Sequence, residues 1–160
     1  MTSAEANWFD KLAAAIPGYG AYRDQESRRR DDARTRDYLA DRLAEVRHRL
    51  TEWMASAATA GDLKVPAQVE PLARRLELAE NRLRAAVEGY ASWFDEREVD
   101  ADRLQRVLEH DQNLIALVDQ IDQEVARMVA QQELPAASSV TDHVALLEER
   151  VGRRSDLLRN

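Results

Sequence analysis

The sequence predicts an all-α protein whose centre is an antiparallel, up-down-up bundle of three long helices, spectrin-like in form. Apolar residues repeat with heptad spacing in three separate stretches, as in helices that pack along one face. Only five glycines and four prolines occur in 160 residues, so the elements should be few and long. No stretch shows the alternation typical of a β-strand. The heptad positions are Leu39, Leu43, Val46, Leu50 and Trp53; Val69, Leu72, Leu76, Ala79, Leu83, Ala86 and Tyr90; and Leu104, Val107, Asp111, Leu114, Val118, Ile121, Val125 and Met128.

Turn residues separate these stretches and set the expected helix ends. Pro17 and Gly18 should end a short amphipathic helix, and Gly61 should end the first long helix. The second long helix should begin near Pro66, although Pro71 allows an onset as late as residue 70. The predicted helices are 4–16, 22–60, 66–96, 100–132 and 140–158.

These elements divide the chain into three parts. Residues 1–21 form the short helix with its Pro-Gly elbow, 22–133 form the three-helix bundle, and 134–160 form a linker with a fourth, C-terminal helix. Short connections make successive long helices antiparallel neighbours. The fourth helix either packs beside the bundle or stays available to a partner.

Composition narrows the class of protein. A net charge of −7 argues against general nucleic-acid binding. With no cysteine, a disulfide framework and a thiolate nucleophile are excluded. No apolar run approaches the roughly 18–20 residues that span a bilayer, and no secretory signal opens the chain. We therefore expect a cytoplasmic location.

Asp111 is the most unusual residue of the heptad pattern, because it occupies a seam position between Val107 and Leu114. A carboxylate at this position would pair, take up a proton or avoid burial, and antiparallel folding of the second and third helices suggests Arg82, Arg84 or Arg42 as its partner. We interpret Asp111 as a buried polar residue that fixes helix register or as part of a half-exposed seam.

Two histidine patterns offer an enzymatic alternative. His110-Asp111 resembles the His-Asp pair of metal-dependent phosphohydrolases, in which His48 and Asp119 or Asp122 would supply further ligands. Glu45-Val-Arg-His48 matches one Glu-x-x-His unit of a di-iron bundle, but such sites need two units. Because the His-Asp dipeptide alone is a weak signal, the strong heptads argue against the irregular phosphohydrolase fold, and the second di-iron unit is missing, we expect no catalytic residue, no metal and no cofactor. His143 has no recognisable partner.

Two further segments suggest binding. Arg28, Arg29 and Arg30 could contact phosphate or nucleic acid, but Asp31 and Asp32 follow at once, which favours a solvated, salt-bridged helix end. Residues 4–16 could lie on a membrane surface through their apolar side chains. Their acidic residues oppose anionic lipid, so docking on the bundle is preferred.

Aromatic and apolar groups at the elbow end and on the fourth helix are the expected partner-binding residues. Most aromatic residues should gather at the end of the bundle near the elbow, and the last helix carries an apolar stripe that must be buried somewhere. The candidates are Trp8, Phe9, Tyr19, Tyr22, Tyr90, Trp93, Phe94, Val144, Leu147 and Val151.

One part of the sequence resembles a known family. Residues 16–43 and 89–121 are similar to an uncharacterised bacterial family of coiled-coil or helical-bundle proteins with an IPGYxxY…ExRRxxD signature. The matching residues are Pro17, Gly18, Tyr19, Gly20, Tyr22, Glu26, Arg28, Arg29, Asp32, Arg36, Leu39, Ala40 and Leu43. The resemblance implies a helical bundle and no enzyme class.

The sequence therefore predicts a non-enzymatic helical-bundle module for interaction or assembly, with a protein partner or a second copy of itself. The first alternative is a membrane-surface protein that uses residues 4–16. The second is a metal-dependent hydrolase centred on His110 and Asp111.

Overall fold

The chain forms a bundle of helices in a computed structural model, which describes residues 10, 13–20, 25–85 and 101–159. Within these ranges every regular element is helical, which confirms the all-α prediction. The long helices are α1 (Gln25–Thr59), α2 (Lys64–Ala85), α3 (Ala101–Gln131) and α4 (Val140–Arg159), with a short 3₁₀ helix at Pro135–Ala137.

Two of the helix ends show how local sequence sets the boundaries. Gly61 lies in the left-handed region with φ of 83°, and the N–H of Asp62 donates to the carbonyl of Ala57 at 2.9 Å. This is a Schellman ending and confirms Gly61 as the stop of α1. Gln132, with φ of 54°, ends α3 in the same way. Pro71 lies inside α2, which begins at Lys64, so the later onset is wrong.

Ion pairs between helices define their directions. Arg84–Asp41 and Arg47–Glu80 join α2 to α1 in antiparallel register. Arg49 contacts Asp122 at 2.6 Å, which agrees with parallel packing of α1 and α3. Arg75 pairs with Glu148 at 2.9 Å, so α2 and α4 are also neighbours.

The four helices therefore form a ring in the order α1, α2, α4, α3. The start of α1, the end of α2, the start of α3 and the end of α4 meet at one end of the bundle, which we call the elbow end.

The fourth helix is an integral member of this ring. Val144, Leu147 and Val151 are buried against the same core as the long heptads. The sequence left open whether the fourth helix packs beside the bundle or stays available to a partner. It packs beside the bundle, because its apolar stripe is covered within the chain. These three partner-binding candidates are therefore core residues of this chain.

Residues 16–20, which we call the elbow, pack on the elbow end. Ile16 and Tyr19 are buried, and the N–H of Tyr19 donates to the carbonyl of Ile16 at 3.1 Å. Tyr19 is thus a core residue and not an exposed contact. The other aromatic candidates lie outside the described residues; they are Trp8, Phe9, Tyr22, Tyr90, Trp93 and Phe94.

Candidate functional site

A layer of charged side chains lies inside the apolar core near the elbow end. Asp32 and Arg36 come from α1, Asp111 from α3 and Arg154 from α4, with exposed fractions of 2%, 7%, 0% and 3%. We call these four residues the ionic layer. Two carboxylates and two guanidinium groups make the layer neutral, which is the condition under which buried charge is tolerated.

Arg154 is the centre of the ionic layer. Its Nε lies 2.8 Å from Oδ1 of Asp111 and its Nη2 lies 3.2 Å from Oδ2, so the pair is bidentate. Its Nη1 donates to Oδ1 of Asp32 at 2.7 Å. One guanidinium group therefore joins α4 to both α1 and α3 through charge-assisted hydrogen bonds.

Arg36 extends the ionic layer to the remaining helix. Its Nε donates to Oδ2 of Asp32 at 2.9 Å, and its Nη1 donates to the carbonyl oxygen of Leu83 at 3.0 Å. Leu83 lies in the last described turn of α2. The ionic layer therefore connects all four helices at one level.

The elbow docks beside this layer. The N–H of Gly20 donates to Oδ1 of Asp31 at 3.1 Å, and Arg34 donates to the carbonyl of Gly18. Burial raises the pKa of the Tyr19 hydroxyl strongly, and the negative charges of Asp111 and Asp31 raise it further. The phenol of Tyr19 is thus held neutral close to the ionic layer.

The burial of Asp111 is as predicted, but its predicted partners are wrong. Arg82 is exposed, and Arg84 pairs with Asp41 and Glu80. Arg42 contacts Glu45, Asp119 and Asp122. The actual partner, Arg154, lies on the helix whose position the sequence left open.

The sequence favoured a solvated helix end at Arg28–Arg30, and the structure agrees only in part. Arg29 and Arg30 are exposed, whereas Arg28 is buried, as are Asp31, Asp32 and Thr35. Four residues that carry the family resemblance, Tyr19, Arg28, Asp32 and Arg36, are therefore buried near the elbow.

His110 adjoins the ionic layer but contacts backbone. Its Nε2 lies 2.9 Å from the carbonyl oxygen of Arg150, and because a carbonyl only accepts, Nε2 carries the proton. Burial lowers the pKa of His110, and this outweighs the opposing effects of that hydrogen bond and of Asp111.

The residues of the metal-dependent alternatives do not come together. His48 is 73% exposed and pairs with Glu52 at 3.4 Å, while Asp122 binds Arg42 and Arg49. Glu45 is also exposed and contacts Arg42. Over the described ranges, no three histidine or acidic side chains form a group that could hold a metal ion.

A second polar cluster joins α3 to the start of α4, and the sequence did not indicate it. His143 Nδ1 lies 2.9 Å from one carboxylate oxygen of Glu124, and the Ser139 hydroxyl donates to the other at 2.6 Å. Gln120 contacts the second ring nitrogen of His143 at 3.0 Å. Because Ser139 bonds to Glu124 and not to the imidazole, these three residues are not arranged as a serine–histidine–carboxylate triad.

Comparison with known proteins identifies no relative. The chain matches no protein-family model, and no curated protein or solved structure is significantly similar to it. The resemblance to a bacterial helical family therefore stays a prediction. None of the described helices combines the length and the apolar character needed to cross a membrane. The fold and the ionic layer define the class as a helical bundle.

Proposed function

We propose that this chain is a non-enzymatic interaction or assembly module that uses the elbow end of the bundle to contact a protein partner or a second copy. A cytoplasmic location is part of the proposal. The observation that carries it is the docking of the elbow beside the ionic layer. This arrangement holds the elbow and all four helices in one fixed geometry.

The chemistry of the ionic layer supports a positioning role. Asp111 would be the natural general base in a hydrolase, but both of its carboxylate oxygens accept hydrogen bonds from Arg154. A general base needs an accessible oxygen within hydrogen-bond reach of substrate. Asp111 has no exposed surface, so its charge serves the packing of the helices.

The elbow end is favoured as the contact surface because the apolar stripe of α4 is already covered. Six aromatic residues belong to segments that the sequence joins to the elbow or to helix termini at this end. Aromatic residues are enriched at protein interfaces and supply much of their binding energy. Ile16 is buried on the bundle. This burial favours docking of the elbow on protein over a membrane-surface helix that includes Ile16.

The proposal is tested by placing a photoreactive phenylalanine analogue at Phe94 in the full chain. The matched control carries the analogue at Leu63, which is 72% exposed in the turn between α1 and α2 at the opposite end. Irradiation of the purified chain tests a second copy, and irradiation in the cells that produce it tests a partner. Mass spectrometry identifies the adducts.

We expect discrete protein adducts from position 94 and few from position 63. Equal labelling at both positions, or no protein adduct at either, would contradict the proposal. Adducts with lipid at position 94 would contradict it as well and would favour the membrane-surface alternative.

A further inference from the structure

A pocket of about 410 Å³ lies between α3 and α4 close to the elbow end. Its described lining contains three guanidinium groups, one imidazole and a single carboxylate, with one leucine as apolar surface. The lining residues are Arg103, Arg106, His110, Arg153, Asp156 and Leu157. The volume lies within the range of sites that hold small molecules.

Helix geometry explains why these side chains share one pocket. Arg103, Arg106 and His110 are spaced by three and four residues, which places them on one face of α3. The antiparallel register of α4 is fixed by the contact between His110 and the carbonyl of Arg150. In this register, Arg153 and Leu157 lie opposite that face of α3.

The three arginines of this pocket differ in their contacts. In the pocket, Arg153 pairs with Glu149 of its own helix, and Arg103 donates to the carbonyl of Leu158. Arg106 is exposed, and within the described part of the chain it makes no hydrogen bond or ion pair.

The charges of the lining favour an anion. Among the described lining residues, three guanidinium groups face one carboxylate, that of Asp156. Glu149, which pairs with Arg153, is not among those lining residues. The planar guanidinium group presents paired N–H donors that match the oxygens of a phosphate.

We propose that this pocket binds a phosphate group, as inorganic phosphate or as the phosphomonoester of a small molecule, with Arg106 as its principal ligand. Arg103 and Arg153 supply further positive charge. Leu157 offers apolar contact to the organic part of an ester. This inference is independent of the proposed protein interaction.

The test is an NMR titration of the arginine Nε–H signals of the full chain with inorganic phosphate and, separately, with ribose 5-phosphate. Ionic strength is held constant with sodium chloride, so that general screening does not change. Arg106→Gln is compared with Arg127→Gln, because Arg127 is also exposed on α3 but does not line the pocket. Thermal unfolding of both variants checks that the fold is retained.

We expect saturable binding to the unmodified chain and to Arg127→Gln, and affinity about tenfold lower for Arg106→Gln, since one charge-assisted hydrogen-bonding group is lost. Tighter binding of ribose 5-phosphate than of phosphate would support an ester ligand, and equal binding would support the phosphate group itself. Failure of both ligands to saturate would overturn the proposal. Equal affinity of the two variants would overturn it too.

Discussion

Arg154 of α4 and Asp111 of α3 form a bidentate ion pair that is closed to solvent, with nitrogen–oxygen distances of 2.8 and 3.2 Å. The two residues are 43 positions apart in the chain. Because Arg154 also binds Asp32 of α1, this pair sets the level at which α4 joins the bundle. Loss of either partner would leave buried charge without compensation.

The first prediction concerns this pair. Asp111→Leu should lower the free energy of unfolding by about 3–5 kcal/mol, because the guanidinium group of Arg154 stays buried without its bidentate partner. The measurement is urea unfolding followed by circular dichroism at neutral pH.

The control for that prediction is the double variant Asp111→Leu/Arg154→Leu. It removes one negative and one positive charge and leaves Asp32 paired with Arg36. Its stability should return to within about 1 kcal/mol of the unmodified chain, since a well-packed apolar pair often replaces a buried ion pair without loss. A double variant as unstable as the single one would show that the pair is not an independent unit.

The second prediction concerns the close approach of the elbow to α1. A Cβ atom at Gly20 would lie 2.9 Å from Oδ2 of Asp31, and Asp31 is buried. Gly20→Ala should therefore destabilise the chain by about 1–3 kcal/mol, because the carboxylate or the elbow must move. Differential scanning calorimetry measures the change.

The matched control is Gly152→Ala. Gly152 lies in α4, and a Cβ atom there meets nothing within 4 Å. The substitution should stabilise the chain by about 0.5–1 kcal/mol, because alanine favours helix over glycine. If both variants changed stability equally, the elbow contact would have no role in holding the bundle.

The heptad pattern was sufficient to predict the helices and the burial of Asp111, because the 3.6-residue period places one face of each helix in the core. It could not predict the partner of Asp111. Pairing between helices depends on which helices are neighbours, and the place of α4 was undetermined. Asp32 and Arg36 lie in a charge-rich stretch of the sequence that is typical of a solvated surface. Their burial follows from the elbow and α4, which cover this part of α1.

The third prediction concerns acid stability. Burial alone would raise the pKa of Asp122, but the hydrogen bonds and charges of Arg49 and Arg42 outweigh burial and lower the pKa below its ordinary value of 3.8. The folded state therefore binds its proton less readily than the unfolded state. The resulting stability is present above about pH 4 and is lost as pH falls through the lowered pKa.

Asp122→Asn should accordingly cost about 1–2 kcal/mol at neutral pH and make the fall in stability below pH 4 shallower. Asp119→Asn is the control, because Asp119 is 46% exposed and makes one longer contact of 3.3 Å with Arg42. Unfolding in urea from pH 2.5 to 7 provides both comparisons. Identical acid profiles for the two variants would refute the assignment to Asp122.

The last prediction joins the protonation of His110 to binding in the pocket it lines. Since Nε2 donates to the carbonyl of Arg150, the proton is gained or lost at Nδ1. Burial is the largest cause that lowers the pKa of His110, and the charges of Arg154 and Arg150 lower it further. The hydrogen bond to the Arg150 carbonyl and the charge of Asp111 raise the pKa, but by less. The charged groups around the imidazole on α3 and α4 are Arg103, Arg106, Asp111, Arg150, Arg153, Arg154 and Asp156.

A bound dianion adds negative charge beside the imidazole, so it should raise the pKa of His110 toward its ordinary value of 6.5. By linkage, anion affinity should then increase as pH falls from about 7 to 5. Sulfate is the suitable probe because it keeps both charges over this range. The Cε1–H signal of His110 is titrated by NMR with and without sulfate at constant ionic strength, and the exposed His48, paired with Glu52, is the internal control. A pKa of His110 that sulfate moves no more than that of His48 would mean that no anion binds beside the imidazole.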